Sequence, residues 1–139
     1  MADSDYILCE CRLQALEEFV ASLEASFVIQ MARLPVVCMT MIRAEDSVEA
    51  QPFYLGEALT TDCEVIVNGR TGYGICLGDE PVRCYCIAFL DAIKQLSGEH
   101  QTKVQIFLEE QAAVISRELK VEYDHILRTR VDFKLMEQD

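Results

Sequence analysis

Basic residues are scarce in this sequence: 12 Lys and Arg face 24 Asp and Glu, a formal net charge of -12 over 139 residues. A chain that acidic repels phosphate backbones and anionic bilayers, which excludes nucleic acid and membrane surfaces as partners. Long apolar runs are missing too. The longest, Leu34 to Ile42, falls far short of the roughly 20 residues that span a bilayer. Met1-Ala2-Asp3-Ser4-Asp5 has neither the basic start nor the apolar stretch of a secretory signal, so a cytoplasmic location is expected. Only two histidines are present, His100 and His125, without the His-Glu-x-x-His spacing of a helical zinc site. There is no internal repeat and no low-complexity tract.

What the chain does have is apolar side chain. Hydrophobic residues make up 51% of it and mean hydropathy is +0.13, enough to exclude a disordered polymer and, at this length, to build one domain over residues 1–139. Seven cysteines without a secretory signal predict reduced thiols and no structural disulfide. Acidity is uneven: residues 1–68 hold 12 acidic and 3 basic groups, residues 69–139 hold 12 and 9. An anion would prefer the second half.

Leu13, Leu16, Phe19, Val20, Leu23 and Phe27 recur at helical spacing and predict a helix from about Asp5 to Ala25, capped by Ser4 or Asp5. Between Ser26 and Met41, β-branched and apolar residues crowd on either side of Pro35, which predicts two strands. Residues 44–52 are polar and aperiodic and read as a loop. From Ala58 to Asn68, Leu59, Thr61, Cys63, Val65 and Val67 share one face and Asp62, Glu64 and Ile66 the other, the mark of a half-buried strand. Asn68-Gly69 then predicts a type I' hairpin turn, with Arg70 to Leu77 as the returning strand. Gly72 and Gly74 leave flat spots where a helix or another backbone can approach.

Gly78-Asp79-Glu80-Pro81 opens a helix, with Asp79 as cap, Pro81 in the first turn, and Val82, Cys86, Phe89, Leu90 and Ile93 as its buried stripe before Ser97-Gly98 ends it. A longer helix from about Gln101 to Leu127 follows, and the alternation of Val131, Phe133 and Leu135 predicts a short C-terminal strand. The expected fold is α+β: an antiparallel sheet of hairpins packed against an N-terminal helix and two C-terminal helices.

No motif amounts to a catalytic centre. Gly72-Tyr73-Gly74 lies inside a strand, whereas a phosphate-binding glycine loop leads from strand to helix. Gly78 to Pro81 does lead into a helix, but Asp79 and Glu80 occupy its N-terminal end and oppose an anion. Cys9 and Cys11, like Cys84 and Cys86, are two apart in predicted helices and point roughly 200° apart, so neither pair chelates one metal and buried thiols are expected. His100 and His125 fit surface or capping roles. Tyr123-Asp124-His125 diverge around a helix and form no dyad. Composition alone also fits a stand-alone acidic, thiol-rich α+β binding domain.

Five ordered landmarks go further: Phe53-Tyr54-Leu55-Gly56-Glu57-Ala58-Leu59-Thr60-Thr61, Gly72-Tyr73-Gly74, Leu77-Gly78, Leu90-Asp91-Ala92-Ile93 and Arg130-Val131-Asp132-Phe133. In order and spacing, across residues 53–135, the chain resembles the G subunit of the bacterial carbon-phosphorus lyase core complex, the PhnG family. The resemblance implies a small cytoplasmic α+β subunit, not catalytic alone, that assembles with the H, I and J subunits and the nucleotide-binding L subunit. In that complex a phosphonate is joined to the ribose of MgATP and adenine is displaced, giving a ribose 1-phosphonate 5-triphosphate. The radical chemistry that later breaks the carbon-phosphorus bond, and its iron-sulfur cluster, belong to the J subunit. No cofactor is expected on this chain alone, and MgATP enters as a substrate of the complex.

The sequence departs from the family where basic residues are usual, carrying Asp62, Asp79 and Pro81 instead, so no phosphate-handling residue is carried onto those positions. Arg70, Arg83, Arg128 and Arg130 remain as candidate anion contacts. Arg83, in a first helical turn, and Arg130, in the best-matched motif, are the expected ligand- or partner-binding residues. With surface meant for partners left open, the isolated chain is expected to self-associate, a homodimer among the forms allowed.

Overall fold

The computed structural model describes residues 4–137, with side chains described through residue 129. Two short helices, α1 (Ser4–Glu10) and α2 (Leu13–Glu24), precede a three-stranded sheet of β1 (Ile29–Glu45), β2 (Pro52–Val67) and β3 (Arg70–Leu77); α3 (Pro81–Lys94) and α4 (His100–Glu137) follow. The strands lie in the order β1-β2-β3, and both pairings are antiparallel. The fold is α+β, as expected. No helix among the described residues is long and apolar enough to cross a membrane.

The β2–β3 hairpin turns on Asn68 and Gly69, whose φ values of 48° and 84° are the positive pair a type I' turn requires. Its core face carries Thr61, Cys63, Val65 and Val67, all buried, opposite Cys76, Gly74, Gly72 and Arg70. α3 lies on that face. A Cβ on Gly72 would collide with the Ala88 carbonyl and one on Gly74 with the Cys84 carbonyl, so the two flat spots admit the helix backbone. Below α3, Leu16, Val20 and Leu23 of α2 join Phe89 and Ile93 in one buried cluster. Phe19 stacks on Phe107 of α4 with centroids 4.2 Å apart, and Phe27 meets Phe89 edge-on at 5.9 Å.

Several expectations are corrected. The N-terminal helix is two helices, broken at Cys11-Arg12, where Arg12 adopts an extended conformation (φ -66°, ψ 132°). The Leu8 carbonyl, near that break, accepts instead from Arg83 Nη1 at 2.8 Å. The two strands on either side of Pro35 are one strand, because the register shifts between Arg33 and Val36. An irregularity on an edge strand accommodates a residue without an N–H. The loop shrinks to the turn after Glu45, where Asp46 Oδ1 accepts from Val48 N–H at 2.8 Å, and β2 starts six residues ahead of Ala58 at Pro52. The residue preceding α3 is Glu80, with no side-chain cap, and Pro81 stands at the helix start. Thr61 secures that entry by donating to the Gly78 carbonyl at 2.6 Å and accepting from Glu80 N–H at 3.0 Å. Val82 is exposed and off the buried stripe. Finally, Val131, Phe133 and Leu135 form no terminal strand: they continue α4, which runs 38 residues. No Gly or Pro occurs after Gly98 to stop it.

Candidate functional site

Arg83 stands in the first turn of α3, where a guanidinium would ordinarily reach solvent. Here the residue is only 7% exposed. Its Nη1 donates to the Leu8 carbonyl at 2.8 Å and lies 3.9 Å from Cys11 Sγ, while its Nε meets Glu80 Oε1 at 3.4 Å. The side chain thus clasps the end of α1 to α3. Burial pushes the Cys11 thiol up, with Arg83 pulling the other way. An Arg83→Met variant keeps the stem but leaves the Leu8 carbonyl only the weak donor Cys11 Sγ, 3.6 Å away, and should cost about 2–3 kcal/mol, as lost hydrogen bonds from charged donors do. Denaturant titration checks this, and a midpoint equal to wild type would release Arg83 from the clasp.

Arg130 lies on α4, and its side chain is outside the described residues. Arg70, at the start of β3, and Arg128, on α4, are exposed. Arg12 and Arg117 were not among the sequence candidates, yet they line one open trough of about 630 Å³ between α2 and α4. Arg12 there pairs with Glu118 at 2.8 Å. No local signal brings these residues together, because Arg12 and Glu118 are 106 positions apart.

A narrower groove of about 370 Å³ lies among α1, β3, α3 and α4, with Leu8, Ile87, Leu90 and Val104 on its apolar side and Asp91 and Lys94 among its polar groups. Asp91 Oδ2 accepts from Tyr73 N–H at 3.0 Å, which ties it to the free edge of β3. His100, at the head of α4, directs Nε2 at the Ile93 and Leu96 carbonyls, 2.8 and 2.9 Å away. That is the capping role expected of it, exercised on the end of α3. His125 is exposed.

The buried thiols are poor nucleophiles. Cys63, Cys76, Cys84 and Cys86 are buried, as is Cys11, and all seven cysteines are free. Burial pushes Cys76 up to about 11 and Cys86 up to about 12, and Cys84 higher still. At neutral pH they stay protonated, and only the thiolate attacks. Cys84 Sγ sits 3.2 Å from Cys63 Sγ and 3.3 Å from the Gly74 carbonyl, while Cys9 is exposed and Cys11 buried. The Cys9 and Cys11 pair therefore splits between solvent and core, whereas Cys84 and Cys86 are both buried.

The feature that stands out is an unfinished surface. β1 and β2 run on past the end of β3, where Thr60 faces Leu77, as a two-stranded arm. Along it Met39, Met41, Ile42, Phe53, Tyr54, Leu55 and Leu59 are all exposed, as is Val37 at its root, where the sheet still has three strands. A second apolar series, Leu119, Tyr123, Ile126 and Leu127, is exposed on the C-terminal half of α4. Surfaces of this kind mark places where other chains bind.

The comparison with curated proteins finds no match to the chain. The family model described as phosphonate metabolism protein PhnG matches residues 4–138, spanning both the core and the arm. On that near-complete match, the chain belongs to the PhnG family of phosphonate metabolism proteins.

Proposed function

We propose that this chain is a non-autonomous subunit of the carbon-phosphorus lyase core complex. It supports formation of ribose 1-phosphonate 5-triphosphate from MgATP and a phosphonate, with release of adenine. Its partners in this reading are the H, I and J subunits and the nucleotide-binding L subunit, and the product is made in the assembly rather than on this chain. Family membership supplies the pathway. The observation that carries the subunit role is the exposed apolar arm, which costs an isolated protein solubility and benefits it only when covered. Protonated buried thiols and an Arg83 committed to α1 agree with a supporting role.

Coexpression with the other subunits, followed by affinity capture and sizing, tests the reading. The chain should elute with them at a defined stoichiometry. An Arg130→Ala variant should lose assembly or adenine release, and Arg130→Lys should restore it only in part because the two-pronged guanidinium is gone. A well-behaved monomer that ignores the other subunits would instead identify a stand-alone binding domain.

A further inference from the structure

Resting on the subunit reading, we propose that the arm is covered by an amphipathic helix of a different subunit. That helix lays an apolar stripe on Val37, Met39, Met41 and Leu59 and flanks it with Lys or Arg.

The choice of face follows from the register. Met39 stands opposite Leu59, Val37 opposite Thr61 and Met41 opposite Glu57, so these side chains share the face on which Thr61, Cys63, Val65 and Val67 are buried beneath α3. It is the core face, continued. β2 has 16 residues, about 53 Å at the usual strand rise, whereas α3 has 14, about 21 Å. More than half of the strand's length therefore lies beyond what one such helix can cover end to end. Val37, Met39, Met41 and Leu59 are between 41% and 56% exposed, although each continues a column that is closed farther down.

The kind of cover follows from how the rest of this face is covered. A helix already lies on it, so a second helix completes the same layer. From Val37 to Met41 the ladder spans about 13 Å at the strand rise, which two to three helical turns match. Charge selects the partner. Glu57 shares the face with the ladder, and Glu45, Asp46 and Glu49 close the arm's far end, against Arg43 alone on the other side of the balance. A helix with basic flanks gains there, and one with acidic flanks is repelled. A second copy of this chain, carrying -12, is the wrong partner on that ground.

A photo-reactive benzoyl-phenylalanine placed at Met39, in the chain coexpressed with the remaining lyase subunits, identifies the cover by mass spectrometry of the linked peptide. The expected adduct is a helical, Lys- or Arg-flanked peptide of another subunit. Linkage to a second copy of this chain, its own α4 included, or to an acidic peptide, overturns the proposal. Substitution gives an independent reading: Met39→Asp should cut recovery in the complex by about tenfold or more, as loss of a central anchor does. Ile75→Asp should leave recovery unchanged, because Ile75 is paired with Asp62 and so lies on the opposite face. Both sites are already exposed, so circular dichroism should show both variants folded. If Ile75→Asp abolishes assembly and Met39→Asp does not, the face is wrong while the subunit role stands. If the unsubstituted chain fails to assemble, the subunit role falls and takes this proposal with it.

Discussion

Raising the pH through 9 to 11 in the presence of reductant should unfold the protein, well before its backbone or lysines would account for it. Thiols released into the unfolded chain titrate near 8.5. In the folded protein Cys76 is pushed up to about 11 and Cys86 up to about 12, with Cys84 higher, in each case chiefly by burial. The folded state therefore binds more protons than the unfolded state throughout this window, and stability falls as pH rises. Below the unfolded value the contribution is fully present. Above it, each thiol removes up to about 1.4 kcal/mol per pH unit, so these three together remove about 4. Against a typical total of about 5–15 kcal/mol, most of the stability should be gone by about pH 11. Tyr85 acts in the same direction, raised by burial and by the Glu24 carboxylate. Denaturant midpoints measured between pH 7 and pH 10.5 check this, and a flat profile would mean that the thiols are not buried as described.

The second large effect is steric. Adding a methyl group at Gly72 places it on the Ala88 carbonyl, 2.6 Å from Ala92 N and 2.7 Å from Ala92 Cβ; at Gly74 it meets the Cys84 carbonyl and comes 2.9 Å from Ala88 N. The obstacles are backbone atoms of α3, which cannot turn aside as a side-chain end can. The helix must lift, opening the face that buries Cys63 and Val65. Gly72→Ala and Gly74→Ala should each cost at least about 3 kcal/mol, a fall in Tm of roughly 10 °C for a chain of this size. Gly69→Ala separates crowding from conformation, since nothing lies within 4 Å of its Cβ and only φ of +84° opposes the substitution, for about 1 kcal/mol. Equal losses at all three positions would show that helix contact is not the reason for the strand glycines.

What could be read from the residues was what neighbours in the chain decide. Asn68-Gly69 specifies its turn through two positive φ values, and Leu59 to Val67 show their two faces by simple alternation. Gly72 and Gly74 announce a close approach without naming what approaches. Two of the differences between pattern and fold arise from contacts between distant parts of the chain. At the break between α1 and α2 the Leu8 carbonyl is met by Arg83, 75 positions away, and β1 survives Pro35 because the irregularity falls at the sheet edge. For α4 the difference is local: the alternation of three apolar residues after Arg130 suggests a strand, but no Gly or Pro stops the helix, which continues by default.

The candidate site was less legible still. Arg83 follows Pro81 in a first helical turn, a place that reads as surface, and only the packing of α1 against it removes it from solvent. Asp62 pairs with Arg33 of the adjacent strand, a contact that no local pattern in either strand signals. The arm was visible as apolar residues, but not as exposed ones, since nothing in Val36 to Met41 or Phe53 to Leu59 tells that α3 stops short.

Adenine release from MgATP and a phosphonate, by the lyase complex assembled with and without this chain, tests the subunit role most directly. Release should fall to background when the chain is omitted and return when it is added back with its arm intact. Full release in its absence would contradict the role assigned to it.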